Sequence, residues 1–459
     1  MSIAGYIRPA LYFAAVTLLP GAASAQAYKG LYVVAIPNVD ATITTKRQAH
    51  AYQQPFVDGV EIPLHWSFVE PAAPGTTLPP GAGVTDPITG EVFCPKGTRR
   101  TNFCWQELDE QLAFVSSSKK LSLAVIAGGF SPQWLTDAGI AVTTIGPVRY
   151  ASHGGTGPNC FNMPMPLPSS SATPGGNAPS SFAAAYVAMM QSLAAHLAAK
   201  GFLSQVAIIK VSGGANTVNE EFHIDSSTTN NACLTDVTPL WAAIGYRPGA
   251  VAAVWEYIAA QTAAIFPQAL PSFDLLESSF TSAPLIDDAG TIFTAAKYTA
   301  HPAAYGSLLL DLALAALLPG GGAPGIVGPA VSVQWDGVLP ADQQTLSAVA
   351  VHTLAAAENG AVLSWQTNEM SGLAGSSCGT AACAAATTST TPCYGTVSCV
   401  AEYASLLDNA ITPIPGNSLK AGFLEVWSID VQNKCLQVAL VAAHNALTGD
   451  TLAGGNGCK

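Results

Sequence analysis

Charge is what this sequence has least of. Only 10% of its 459 residues are charged, and Lys and Arg together number 17, leaving a formal net charge of −12. A chain with so few cations offers no basic stripe to a phosphate backbone, so nucleic acid is not an expected partner. The segment after the first strand-like run, PNVDATITTKRQ beyond Ile36, has no Gly-rich phosphate turn. That argues against an open, doubly wound nucleotide-binding sheet. There is no G-x-S-x-G elbow and no HExxH, and the eight histidines are scattered without metal-ligand spacing. No two cysteines have the CxxC spacing that a zinc site would want. Neither a metal nor a cofactor is implied.

What the chain does have begins at its start. Arg8 precedes the apolar run Ala10 to Leu19, Pro20 and Gly21 break that run, and Ala23-Ser24-Ala25 follows as an A-x-A cleavage site. This predicts a signal peptide over residues 1–25, a mature chain beginning near Gln26, and secretion to an extracellular or periplasmic space. The apolar run is too short for an anchor, and Leu308 to Leu318 is interrupted by Asp311, so no membrane partner is expected. Ten cysteines, an even number in a chain bound for an oxidising compartment, predict disulfides. Short separations favour Cys94 with Cys104, Cys435 with Cys458, and two bridges within Cys378, Cys383, Cys393 and Cys399, leaving Cys160 to Cys233.

Hydrophobic residues make up 49% of the chain, enough for a large core, and 42 Gly with 32 Pro supply its uncharged loops. Strand-like runs lie at Gly30 to Ile36, Gly59 to Trp66, Leu121 to Ala127, Gln205 to Val211, Ser272 to Leu276, Val331 to Trp335, Ala361 to Gln366 and Gly422 to Trp427. Helical patterns fall between them at Trp105 to Ser117, Ser181 to Lys200, Gly249 to Phe266, His301 to Leu318, Ala341 to Asn359, Glu402 to Leu407 and Leu436 to Leu447. Eight strands with intervening helices predict an α/β fold, a (β/α)8 TIM barrel, forming one domain over residues 26–459. Four connections, Val69 to Phe103, Gly128 to Pro179, Ser212 to Pro248 and Thr367 to Ser398, are long and hold most of the cysteines. All follow strand C-terminal ends, so the expected site is a C-terminal face built from disulfide-bridged loops.

Two stretches there carry carboxylates. Past the fourth strand comes VSGGANTVNEEFHI, with Asn219, Glu220 and Glu221 among small residues. Adjacent like charges in a partly dry site raise a carboxyl pKa, which suits a general acid. The seventh strand, AVLSWQT, runs into Asn368, Glu369 and Met370, and a glutamate ending an apolar strand is costly unless paired or functional. Strands four and seven face each other across a barrel mouth, so the two carboxylates could flank one glycosidic bond. Sugar rings also need flat apolar surfaces and amide partners. Trp66, Trp134, Trp335, Trp365 and Trp427 fall at or near predicted strand ends, with Gln334, Gln366 and Asn368 as hydroxyl partners and His65 and His223 beside the rim.

These segments resemble those of the barrel glycoside hydrolases grouped as clan A, with an acid after strand four and a carboxylate after strand seven. NEEFHI and WQTNEM also look like the glutamate segments of the beta-amylase family. By that likeness Glu221, which precedes Phe222, matches the acid, and Glu369, which precedes Met370, matches the base. The Asn-Glu pair more typical of clan A would select Glu220 instead. PFVDGVEIPLHWSFVEP, from Asp58-Gly59 to Trp66 and Glu70-Pro71, resembles the second strand of such enzymes. GFLEVWSID carries Glu425, Trp427 and Asp430 where these barrels often complete the sugar site. The resemblance implies a secreted glycoside hydrolase acting on a carbohydrate substrate. A noncatalytic carbohydrate-binding or cell-surface barrel is the alternative.

Overall fold

The computed structural model describes residues 28–34, 50–76, 84–85, 92–94, 101–149, 160–167, 181–211, 238–275, 286–287, 289–292, 331–338, 361–367, 397–411 and 421–454. The predicted parallel barrel is present and closed. Its strands are β1 (Gly30–Val34), β2 (Gly59–His65), β5 (Lys120–Ile126), β8 (Val206–Lys210), β9 (Leu270–Leu275), β10 (Ser332–Val338), β11 (Val362–Thr367) and β12 (Phe423–Trp427). They pair in the ring order β1-β12-β11-β10-β9-β8-β5-β2, and every barrel ladder is parallel. Each predicted strand run supplies one stave, because four- to eight-residue apolar runs bounded by turn residues satisfy a sheet packed on both sides.

The staves alternate with a period of two. One set, including Leu31, Val33, Val60, Ile62, Leu64, Leu123, Val125, Ile209, Phe273, Val333 and Leu363, belongs to the large core shared with the surrounding helices. The other set fills the lumen. Tyr32, Ile208, Leu270 and Phe423 form a separate apolar cluster that plugs it near the strand starts, with Tyr32 and Phe423 edge to face at 5.6 Å. Above this plug the lumen is polar: Ser122, Lys210, Ser272, Asp274, Ser332, Gln334, Ser364, Gln366 and Glu425 are all buried. Barrels of this architecture more usually stack branched apolar side chains there.

The helices pack outside. Phe182–Lys200 buries Phe182, Tyr186, Met189, Met190, Leu193 and Leu197 along one stripe, the spacing that a single helix face requires. Ser181 caps its start by accepting from the Ala184 amide, and Gly201 at φ 83° ends it. The Tyr186 hydroxyl donates to the Val125 carbonyl at 2.9 Å, fastening the helix to β5. By length and composition this helix could cross a membrane, but most of its apolar window is buried in the protein. The helices Pro248–Ile265 and Gln437–Thr448 fall within a residue of expectation. Gln106–Leu112 is shorter than its periodicity predicts, and Val397–Ile411 is longer. The expected helices His301 to Leu318 and Ala341 to Asn359 lie outside the described residues.

Two antiparallel ribbons occupy connections that sequence patterning treats as irregular. They are β3 (Val84–Thr85) with β4 (Val92–Phe93), and β6 (Val142–Arg149) with β7 (Cys160–Pro166). The second went unread because Pro147 and Pro164 interrupt its alternation, and proline in a strand run argues against a strand. At the barrel base Gly30 adopts φ 134° against the Asp58 side chain, whose Oδ2 takes the Leu31 amide at 2.9 Å and His444 Nδ1 at 2.8 Å. That contact ties the C-terminal helix to the first two strands.

Candidate active site: the barrel mouth and its polar lumen

Parallel pairing puts the C-terminal ends of all eight barrel strands on one face, so His65, Lys210, Thr367 and Trp427 share a rim. Trp427, which ends β12, stays partly exposed and donates its indole N–H to the Thr367 carbonyl at 2.7 Å. His65, which ends β2, is buried, its ring 3.9 Å from that of Phe130 and 5.0 Å from that of Phe68. Trp335 lies in β10 opposite Trp365 of β11 in register.

Three tryptophans expected at or near the rim are core residues here. Trp66 is fully buried, enclosed by Trp134 at 6.3 Å, Phe182 at 5.6 Å and Tyr186 at 5.3 Å between ring centroids. Strand β2 turns directly into the short helix Trp66–Val69, which swings the indole toward the outer helix layer. Trp365 is buried in that same outer core, because alternation sends it away from the lumen that Ser364 and Gln366 face. Trp134 is also buried, and its Nε1 donates to the Glu70 carbonyl at 3.1 Å.

Glu425 and Gln366 point into the lumen, where a charge cluster spans the barrel. The Lys210 ammonium, 1% exposed, lies 2.7 Å from Glu425 Oε2 and 3.6 Å from Glu61 Oε1, and it also contacts Asp274. Strands β9, β10 and β11 lie between β8 and β12, so the Lys210–Glu425 pair crosses the interior. Glu425 Oε2 also accepts from Gln334 Nε2 at 2.6 Å and Gln366 Nε2 at 3.4 Å, and Oε1 from Ser122 Oγ at 3.4 Å. Charge-assisted bonds of this kind are what make buried ions tolerable. Their field reaches the nearby phenols. Burial, then the charges of Asp58 and Glu425, holds the Tyr32 hydroxyl well above its usual range, and burial with the Glu61 charge does the same to Tyr52.

A second buried carboxyl sits just past β2. Glu70, 2% exposed, accepts from Trp66 Nε1 at 2.9 Å and Asn102 Nδ2 at 2.8 Å. Burial pushes its pKa up to about 7, while the two hydrogen bonds pull the other way. Asn102 is held nearby by the predicted Cys94–Cys104 disulfide and by the Cys104 amide, which donates to the Val69 carbonyl at 2.7 Å. Cys399 and Cys435 are also disulfide-bonded. Their expected partners, Cys458 and the set Cys378, Cys383 and Cys393, lie outside the described residues, as does Cys233.

Asn219, Glu220, Glu221, His223, Asn368 and Glu369 likewise fall outside the described residues. Sequence reasoning missed Glu61, Lys210 and Asp274. The signal was available, since each is a charge inside an apolar strand run, GVEIP, VAIIK and SFDL, where an ion is costly unless paired. Among the described residues, no group of three or more His, Cys, Asp or Glu side chains is arranged to hold a metal ion.

The class that strand order and register define is a closed eight-stranded parallel barrel, the sheet of a (β/α)8 fold. No protein-family model and no curated protein matches the chain. Among solved structures it is similar to the catalytic domain of beta-amylase from Paenibacillus polymyxa, at 10% identity over 88% of this chain and 92% of that one, with a TM-score of 0.44. It is also similar to the catalytic core of xylanase A, at 11% identity over 89% and 88% with a TM-score of 0.40. A third likeness, to the exo-beta-1,4-mannosidase Op5Man5 from Opitutaceae bacterium strain TAV5, has 10% identity and a TM-score of 0.38. It spans 87% of this chain and 52% of that one.

Proposed function

We propose that this chain is a secreted glycoside hydrolase that cleaves O-glycosidic bonds of an oligo- or polysaccharide, with Glu221 or Glu220 as general acid and Glu369 as nucleophile or general base. The observation that carries the reading is the closed parallel barrel, in which the ends of β8 and β11 open on one face with two strands between them. Glu369 follows the last residue of β11, Thr367, by two positions, and the twin glutamates lie on the connection that leaves β8.

Hydrolysis would run as follows. One glutamic acid protonates the glycosidic oxygen as the C–O bond breaks. Glu369 either takes a proton from the attacking water or attacks the anomeric carbon to form a glycosyl ester, which water then hydrolyses with the first glutamate now acting as base. Trp427 offers an apolar ring at the rim. Asn219, Asn368 and His65 are the proposed hydroxyl partners. A chain with few cations favours a neutral glycan over a polyanionic one.

A panel of polysaccharides tests the reading through release of reducing sugar. Wild type should release sugar from at least one glycan, and Glu369→Gln should abolish release while retaining binding. Binding without release by wild type would assign a noncatalytic carbohydrate-binding barrel, and no binding would remove the carbohydrate reading.

A further inference from the structure

We infer that Glu425 is a positioning residue that sets the separation of the two strand ends from which the proposed acid and base extend, an inference that rests on the function proposed above. The sequence resemblance puts Glu425 among the sugar contacts. Its carboxylate is instead 0% exposed, and both oxygens are occupied by protein donors. A substrate hydroxyl could reach it only by displacing Ser122, Lys210, Gln334 or Gln366.

What those donors have in common is where they sit. Lys210 is the last residue of β8, and the chain beyond it leads to Glu220 and Glu221. Gln366 is the penultimate residue of β11, and the chain beyond it leads to Glu369. Strands β8 and β11 share no ladder, since β9 and β10 separate them. One oxygen, Glu425 Oε2, nonetheless takes Lys210 Nζ at 2.7 Å and Gln366 Nε2 at 3.4 Å.

The same stave grips β11 twice more. Thr367 Oγ1 donates to the Glu425 carbonyl at 3.4 Å, and Trp427 Nε1 donates to the Thr367 carbonyl at 2.7 Å. Strand β12 therefore acts as a common anchor for β8 and β11. Without the Glu425 charge, Lys210 retains its contacts with Asp274 on β9 and Glu61 on β2, and its pull on the β8 end changes direction. A two-carboxylate mechanism is sensitive to such movement, because retaining and inverting geometries differ by only a few ångströms. A misplacement of about 1 Å costs about 100-fold in rate.

The test is Glu425→Gln, which keeps size and one acceptor oxygen but removes the charge. We expect kcat to fall about 100-fold with KM within about threefold of wild type. Gln366→Met, which cuts one of the contacts between Glu425 and β11 and leaves the Lys210 pair, should give a smaller loss in kcat, about 10-fold, again with KM preserved. A rise in KM with kcat unchanged would make Glu425 a sugar contact and overturn the inference, as would wild-type values for both constants.

Hydrogen exchange supplies a readout independent of turnover. Glu425→Gln should raise exchange in Val206–Lys210 and Val362–Thr367 together, and leave the helix Phe182–Lys200 unchanged. A rise in only one strand, or an equal rise everywhere, would overturn the inference. A wild-type protein that releases no sugar would defeat the functional reading alone, and the exchange result would still decide the anchor.

Discussion

Lys210 and Glu425 lie on strands that do not touch, yet their side chains meet at 2.7 Å inside the barrel. A cation without water must find its counter-charges in the protein. Lys210 finds them on three other staves, Glu61 of β2, Asp274 of β9 and Glu425 of β12. The polar lumen is thus closed by ion pairing where an ordinary barrel of this kind is closed by packing.

Removing the cation should therefore cost more than removing a neutral donor. Lys210→Met leaves buried carboxylates without their ammonium and should destabilise by about 3–5 kcal/mol. Gln334→Met removes the hydrogen bond to Glu425, which keeps its ion pair, and the weaker one from Ser364 Oγ, and should cost about 1–2 kcal/mol. Urea denaturation of both variants measures the difference. A Lys210→Met midpoint equal to that of Gln334→Met would mean that the ion cluster does not hold the lumen together.

Glu70 makes stability depend on pH in a stated direction. Its pKa is raised from the ordinary carboxylate value to about 7, first by burial, so the folded protein prefers it protonated. In the unfolded chain the group loses its proton near 4.5, and between that value and about 7 the native state holds one more proton than the unfolded state. Stability contributed by this group is therefore full below about 4.5 and declines as pH rises to about 7, by on the order of 3 kcal/mol. Glu70→Gln should flatten that slope and lose about 1 kcal/mol at acidic pH, where one of the two acceptors is missing. Thermal melts across this range would show whether the slope belongs to Glu70.

The Cys94–Cys104 disulfide should be energetically coupled to Glu70. The bridge closes a short loop of sequence separation 10 that presents Asn102 to the Glu70 carboxyl. Cross-linking a loop of this length stabilises by about 3 kcal/mol in the chain-entropy account. Replacing both cysteines by serine should cost about that much. Because the change also loosens Asn102, its effect and that of Glu70→Gln should be less than additive. A double-mutant cycle with zero coupling would show that Asn102 keeps its place without the bridge.

The parts of this molecule that were legible in its sequence are those where one physical demand dominates. Every barrel stave showed as an apolar run, because a strand covered on both faces has to be apolar on its outer side. The helix expected over Ser181 to Lys200 forms as Phe182–Lys200, its ends fixed by the Ser181 cap and by Gly201 in the left-handed conformation. The lumen was harder to read, because Lys210, Asp274 and Glu61 come from three separate runs and find their partners only on barrel closure. Trp66 misled for a local reason. It stands at the end of a barrel strand, as a rim residue should, but the chain becomes helical at that residue and the ring turns outward.

In the proposed mechanism the general acid is one of the twin glutamates, Glu220 or Glu221. Of two adjacent loop residues only one normally faces a cleft. Phe222 after Glu221 can serve as an apolar anchor that fixes its neighbour's direction, and the sequence beyond β8 carries the flexible pair Gly213-Gly214. Glu221 is the acid that these neighbours favour. Asn219 before Glu220 supports the other choice, since its amide could hold a sugar hydroxyl while Glu220 protonates the leaving oxygen. Loss of a general acid is felt most where the leaving group needs a proton. Glu221→Gln should therefore slow hydrolysis of substrates with poor leaving groups by 100-fold or more, on the order expected for acid catalysis, and spare those with good ones. Glu220→Gln should stay near wild type on both. The reverse pattern in paired assays would assign the acid to Glu220 and leave Glu221 with the supporting role.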